Sequence, residues 1–271
     1  MRHQKIIVIT GDQLRHRYFL QQIAGETPLA AAFIETTHYP AAAAASAEAE
    51  SAWRWYFARR DAYETERFRD AAALPDPAGP RLLPIARGEI NSQVTLDRLL
   101  AIAPDLIVIF GTGLLGDRVL EHYGGRIFNL HLGLSQHYRG SSANFWPIHD
   151  EKPETLGATI HTVDRGIDTG TVLLRAPIPL ERSDDEQTLA VKTLIKGCRM
   201  MALAIRLWKA GRLHPRPPPK MGSLRLMKNL TPEAMLRVRR MVESGELARR
   251  IEEVNARRRS LRRFTRVRGE C

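Results

Sequence analysis

Short apolar or β-branched runs recur along the first two thirds of the chain, each closed by Gly, Pro or Asp. Residues 5–10, 29–35, 82–86, 105–110, 126–130, 155–163 and 171–175 follow this pattern and predict strands. Ile6-Ile7-Val8-Ile9 and Leu106-Ile107-Val108-Ile109-Phe110 are apolar without alternation, as strands covered on both faces must be. Between the earlier runs the chain predicts helices over 15–24, 48–69 and 93–101, the second carrying Trp53, Trp55, Tyr56, Phe57 and Tyr63. Strand–helix alternation of this kind predicts an α/β fold: a doubly wound, mainly parallel, Rossmann-like sheet whose functional rim lies at the carboxyl ends of the strands. Residues 36–45, with His38-Tyr39-Pro40 and five successive alanines, read equally as a loop or the start of a helix.

The pattern changes after a long amphipathic segment at 184–210. Gly211-Arg212-Leu213-His214-Pro215-Arg216-Pro217-Pro218-Pro219 predicts a linker, because successive prolines exclude both helix and central strand. Beyond it, Thr231-Pro232-Glu233 has the form of an N-cap, an N1 proline and an early acidic residue. It predicts a helix to about residue 243, with another over 246–263. The expected organisation is an α/β domain over 1–210, a Pro-rich linker over 211–222 and a small basic helical C-terminal appendix over 223–271.

Composition narrows the classes. At 271 residues and 44% hydrophobic content the chain is long enough for a real core. No apolar run approaches the roughly 20 residues that span a bilayer. Cys198 and Cys271 alone give neither a disulfide framework nor zinc spacing, so the expectation is a cytoplasmic protein with no metal and no membrane partner. The net charge of +11 is uneven: residues 201–271 hold 19 Lys/Arg against 6 Asp/Glu, and residues 1–200 hold 22 against 24. That basic block reads either as a solvated helical face or as a contact for an anionic partner such as RNA, a phosphorylated substrate or an acidic surface. Leu247, Ile251 and Val254 recur at helical spacing within it, a candidate homodimer contact.

The candidate chemistry sits at two places. Asn129-Leu130-His131 follows the apolar Arg126-Ile127-Phe128, and side chains two apart on a strand share a face. An amide donor and an imidazole therefore converge. Asp168, in His161-Thr162-Val163-Asp164-Arg165-Gly166-Ile167-Asp168-Thr169-Gly170, supplies a carboxylate to orient that imidazole. Taken singly, each residue also has an ordinary structural explanation, Asp-Thr-Gly being a common turn.

Phe128-Asn129-Leu130-His131-Leu132-Gly133-Leu134-Ser135-Gln136-His137-Tyr138-Arg139-Gly140, then Ser141-Ser142-Ala143-Asn144-Phe145-Trp146-Pro147-Ile148, Gly157-Ala158-Thr159-Ile160-His161 and Gly166-Ile167-Asp168-Thr169-Gly170 together resemble the folate-dependent formyltransferases. That family includes glycinamide ribonucleotide, methionyl-tRNA and amino-sugar enzymes. The resemblance covers roughly residues 80–180 and implies that Asn129, His131 and Asp168 are catalytic. It implies a formyl donor, 10-formyltetrahydrofolate, whose formyl carbon is attacked by an acceptor amine to give a tetrahedral intermediate. Negative charge on the formyl oxygen would meet the Asn129 amide and a protonated His131, each such donor being worth on the order of 10²–10³ in rate. Proton removal would fall to His131 or to a water held by Asp168. For the folate the resemblance points to Gly111, Gly113, Leu114 and Leu115, and to Asp164, Arg165, Gly166 and Ile167. For the acceptor it points to Arg139, with Gly11, Asp12 and Arg15 at the first strand–helix turn. There the Gly-x-Gly-Ser-Asn-like phosphate loop of the glycinamide ribonucleotide enzymes is missing, and the tail lacks the strand periodicity of the tRNA enzymes' barrel. The expected activity is formyl transfer to a small-molecule amine, an amino sugar or a glycinamide ribonucleotide-like acceptor. Alternatives are an enzyme acting on an aminoacyl-tRNA, a 10-formyltetrahydrofolate hydrolase, and a non-catalytic binding module on the same fold.

Overall fold

The computed structural model describes residues 4–37, 43–72, 79–218 and 220–267, with side chains through residue 260. Residues 38–42 of the alanine-rich run, Pro219 of the linker and Cys271 lie outside the described residues. The strands are β1 (Ile6–Gly11), β2 (Ala31–Glu35), β3 (Arg81–Ile85), β4 (Leu106–Phe110), β5 (Ile127–His131), β6 (Tyr138–Gly140), β7 (Gly157–Thr162), β8 (Val172–Pro177) and β9 (Ser223–Arg225). The helices are α1 (Leu14–Glu26), α2 (Ala47–Arg67), α3 (Gln93–Ile102), α4 (Asp117–Tyr123), α5 (Trp146–His149), α6 (Glu186–Lys209), α7 (Pro232–Glu243) and α8 (Glu246–Val267).

Seven strands form the main sheet in the order β3-β2-β1-β4-β5-β7-β8. The pairs from β3 to β5 are parallel, while β7 runs antiparallel to β5 and to β8. Because the chain leaves β1 first toward β2 and later returns beside it as β4, the carboxyl ends of β1 and β4 form a topological switch point, where open α/β sheets leave a crevice. The continuous apolar runs are explained by cover on both faces. Ile6, Val8, Leu106 and Val108 pack with Phe19, Leu20 and Ile23 of α1 and Leu194, Met201 and Ile205 of α6. Their sequence neighbours Ile7, Ile9, Ile107 and Ile109 face the other way, onto Leu96 and Leu99 of α3 and Val119 and Tyr123 of α4. Each such buried side chain contributes about 1.5–3 kcal/mol of transfer free energy.

Capping sets where the helices begin. Ser46, Ser92 and Thr231 each accept a backbone N–H from the first turn, and Asp185 accepts two, from Gln187 and Thr188. A third core holds the C-terminal helices. Met235, Val238, Leu247 and Ile251 are buried there with Ala52 of α2 and with Phe145, Trp146 and Ile148, and Val254 packs against the same cluster. The Leu247–Ile251–Val254 stripe is thus covered by its own chain. Trp146 is core too, its indole N–H donating to the Ser141 carbonyl at 3.0 Å. Besides helices, the C-terminal region supplies β9, which lies parallel to β6 with Arg139 opposite Leu224. Three residues are too few to carry a strand period, so the sequence gives no sign of it.

Candidate active site

Asn129 and His131 share one face of β5, as the two-residue spacing requires. β7 pairs antiparallel with β5 and places His161 directly opposite Asn129, adding a third polar side chain to the cluster. Asp168 comes from the β7–β8 connection with φ +51°, a left-handed conformation that Asp and Asn adopt more readily than other side-chain-bearing residues. Its Oδ2 accepts the Gly140 N–H at 2.7 Å and lies 3.2 Å from His131 Nδ1. Its Oδ1 lies 3.2 Å from both Asn129 Nδ2 and His161 Nε2.

The other His131 nitrogen, Nε2, faces the Tyr138 carbonyl at 2.9 Å. Both ring nitrogens thus meet acceptors, an arrangement that an imidazolium satisfies in full. Burial pushes the His131 pKa below its ordinary value, while the Asp168 charge and the Tyr138 carbonyl pull it back up. Burial alone would raise the Asp168 carboxyl, but His131, His161 and the Gly140 amide together hold it well below the usual carboxylate range. Asn129 Nδ2, His161 Nε2 and Asp168 Oδ1 form a near-equilateral triangle with sides of 3.1, 3.2 and 3.2 Å. The two hydrogens of an amide nitrogen diverge by about 120°, so only one points into the triangle. The other is left for a partner outside the triangle, and Asn129 lines the neighbouring cleft.

That cleft measures about 440 Å³ and is lined by Asn129, His131, His161 and Asp168, within the range of small-molecule sites. Of the residues expected to meet a folate, Gly111, Gly113, Leu114, Leu115, Asp164, Gly166 and Ile167 line it. Glu35, buried at the end of β2, accepts the N–H groups of Gly88 at 3.1 Å and Gly113 at 2.7 Å. Asn91 grips the same loop through the Leu114 carbonyl at 2.8 Å and the Gly116 N–H at 2.6 Å. The loop is pre-shaped, with Leu114 exposed beside an open mouth. Asp164 likewise holds its own loop, accepting from Gly166 N–H at 3.0 Å and Thr169 Oγ1–H at 2.5 Å. This fits a flat ligand edged by backbone. Arg165 does not line the cleft; it is exposed and paired with Asp117 at 2.7 Å.

The residues expected at the acceptor separate. Arg15 lines the cleft, paired with Glu64 at 2.9 Å. Gly11 and Asp12 line a separate cavity of about 260 Å³, and Asp12 is bonded to the backbone and hydroxyl of Thr37. Arg139 does not line the cleft. Its Nε donates to the Gly222 carbonyl at 3.0 Å and its Nη1 to the Ile167 carbonyl at 3.1 Å. His16 is buried between Gly11 and Gly111, where a Cβ on either glycine would overlap its ring. Its Nδ1 accepts the Gln13 N–H at 3.3 Å. Burial first, then Arg15 and Arg60, hold it well below the ordinary histidine pKa. Among the described residues, no group of three His, Cys, Asp or Glu is placed to hold a metal ion, and no helix is long and apolar enough to cross a membrane.

The family model for formyl transferase matches residues 23–205. The chain belongs to the formyl transferase family. It is 35% identical over 118 residues to a methionyl-tRNA formyltransferase of Anaeromyxobacter dehalogenans, covering 43% of this chain and 38% of that protein. It is 33% identical over 106 residues to a phosphoribosylglycinamide formyltransferase of Mycobacterium tuberculosis, covering 38% and 47%. The chain thus spans less than half the length of these relatives. Two solved formyl transferases share the fold: a phosphoribosylglycinamide formyltransferase from Anaplasma phagocytophilum and a sugar N-formyltransferase from a Shewanella species. The first has a TM-score of 0.57 and 13% identity, covering 83% of this chain and 100% of that one. The second has a TM-score of 0.57 and 14% identity, covering 87% and 88%. The formyl transferase match ends within α6, so β9, α7 and α8 lie outside it.

Proposed function

We propose that this formyl transferase is an N-formyltransferase that moves the formyl group of 10-formyltetrahydrofolate to the primary amine of a small-molecule acceptor. The observation that carries the reading is Asp168, a buried carboxylate that joins His131, Asn129 and His161 at the edge of a cleft bordered by two pre-shaped loops. The donor supplies an activated formyl carbon. As the amine attacks, charge builds on the formyl oxygen, and the outward Asn129 N–H stabilises it without reorganisation. Asp168 keeps the His131 ring in place. The proton leaving the amine passes to the neutral His131, and Asp168 stabilises the cation so formed, a general-base contribution of typically ~10²–10⁴ in rate. A C–N bond forms to the acceptor, a C–N bond to the folate breaks, and the folate nitrogen takes up the proton held by His131 as tetrahydrofolate leaves.

Two features support a small acceptor without a phosphate at the α1 terminus. The His16 ring occupies the space where the first N–H groups of α1 would otherwise receive an anion. The arginines Arg237, Arg239, Arg240, Arg249 and Arg250 each pair with a glutamate of the same chain, which reduces the positive field offered to RNA phosphates. The test is a screen of amino sugars, glycinamide ribonucleotide and methionyl-tRNA, following tetrahydrofolate formation. Formylation of a small amine supports the reading. Formylation of the tRNA alone, or formate release with no amine present, would replace it with the corresponding alternative.

A further inference from the structure

We infer that β9, outside the formyl transferase match, is a working part of the active site, and that Arg139 is the positioning residue through which it fixes Asp168. The inference rests on reading Asn129, His131 and Asp168 as the formyl-transfer site. β6 reaches that site through backbone atoms: the Tyr138 carbonyl accepts from His131, and the Gly140 N–H donates to Asp168. β6 is three residues long and, among the described residues, pairs with β9 in a sheet of two strands. What holds it is the C-terminal segment. Ser223 N–H donates to the His137 carbonyl at 2.9 Å, Ser141 N–H to the Arg225 carbonyl at 2.7 Å, and Gly222 N–H to the Ser135 carbonyl at 3.0 Å. At Gly140, φ is +87° and any side chain would overlap the Arg225 carbonyl, so the two strands approach as closely as glycine allows.

Arg139 closes the arrangement. One arm bonds the Gly222 carbonyl at the start of β9, and another bonds the Ile167 carbonyl, one residue before the left-handed Asp168. A planar guanidinium with donors in fixed directions spans two carbonyls that a lysine cannot hold together. Loss of Arg139 frees the 167–168 backbone, and the carboxylate moves away from His131. The charged and titratable groups facing the His131 ring are Asp168 from the loop and His161 from β7, with Asp150 behind Tyr138 through the phenol hydroxyl at 3.0 Å. Of these, Asp168 is the one that raises the His131 pKa from within contact distance. The His131 titration therefore falls when Asp168 is displaced, whichever catalytic role His131 takes.

The experiment uses the full chain as wild type, Arg139→Ala, Arg139→Lys and Ser223→Pro, the last removing the N–H that bonds His137. Thermal unfolding and circular dichroism establish that each variant is folded. Two readouts follow: the His131 titration by NMR on histidine-labelled protein, assigned with His131→Gln, and steady-state kinetics with 10-formyltetrahydrofolate. Expected for Arg139→Ala and Ser223→Pro is a His131 midpoint displaced to lower pH. With it comes a kcat reduced on the order of tenfold to a hundredfold, since a misplacement of about 1 Å costs that much, while KM for either substrate stays within about threefold. Arg139→Lys falls between. An unmoved His131 titration in folded Arg139→Ala overturns the inference, as does a loss carried by KM, which would mark Arg139 as a substrate contact. If wild type transfers formyl to no amine, the reading of the site fails, but the NMR arm still decides whether β9 and Arg139 position Asp168.

Discussion

Asp168→Asn isolates charge from shape. Asn tolerates the left-handed φ of +51° as well as Asp does, and its side chain has the same outline, so the backbone has no reason to move. The change falls on the surrounding polar atoms. Oδ2 accepts Gly140 N–H at 2.7 Å and faces His131 Nδ1 at 3.2 Å, while Oδ1 lies 3.2 Å from Asn129 Nδ2 and His161 Nε2, with the Tyr138 carbonyl holding the far side of His131. An amide provides one acceptor oxygen where the carboxylate provided two, so its NH2 must confront one set of donors. The lost charge-assisted hydrogen bond is worth about 1.5–3 kcal/mol. His131 is not stranded as an unpaired buried cation, because it responds by staying neutral, and the 3–5 kcal/mol typical of breaking a buried pair does not apply. At ~2–4 °C per kcal/mol for a chain of this size, Tm falls by roughly 3–12 °C. The effect on rate is larger. Without the carboxylate, His131 loses both its orientation and the charge that stabilises its cation once it has taken the proton, and kcat falls by about 10²–10⁴, read as tetrahydrofolate formation at saturating donor and acceptor. A variant that keeps its fold and more than a tenth of wild-type kcat would refute the role assigned to Asp168.

Other expectations follow from buried groups and close approaches. His16 and His131 both have folded pKa values below the unfolded value near 6.5; the unfolded chain therefore binds more protons as pH falls through about 6.5, and stability drops with falling pH. Tm measured from pH 7.5 to 5 should show this decline, and it should be shallower in His16→Asn, which keeps an acceptor for Gln13 N–H; identical slopes would remove His16 from the account. Glu35→Gln leaves one of the Gly88 and Gly113 N–H groups facing an amide NH2, and KM for the formyl donor should rise up to about tenfold, equivalent to ~1.4 kcal/mol, with kcat little changed. Two helical glycines should respond with opposite signs. Gly25 in α1 has open space where a Cβ would stand, so Gly25→Ala stabilises by ~0.5–1 kcal/mol, whereas a Cβ on Gly197 of α6 would come 2.5 Å from Leu130 Cδ1 and Gly197→Ala destabilises; denaturant midpoints check both.

How much of this was legible in the sequence follows from which interactions leave a mark on residue type. The parallel strands were legible because burial on both faces demands continuous apolar runs, and Asn129, His131 and Asp168 because their linked motifs together resemble those of the formyltransferases, although each residue alone has an ordinary structural explanation. His161 stood in a motif already in view, but its role needed the β5–β7 register, which no local pattern encodes. Glu35 and His16 are single polar residues whose burial is decided by elements far away in sequence. The Gly140 N–H and the Tyr138, Gly222 and Ile167 carbonyls are backbone atoms, and any residue supplies those. Arg139 shows the consequence most clearly: the family resemblance pointed to a substrate contact, yet both of its acceptors are main-chain carbonyls from distant segments. Side-chain chemistry near an active site can be read from sequence, whereas the backbone that aims it can be read only once the segments are placed together. In this chain the aiming backbone comes from beyond the formyl transferase match, and truncating the chain at residue 205, where that match ends, should leave Asn129, His131 and Asp168 in the sequence while removing the strand that holds their partners.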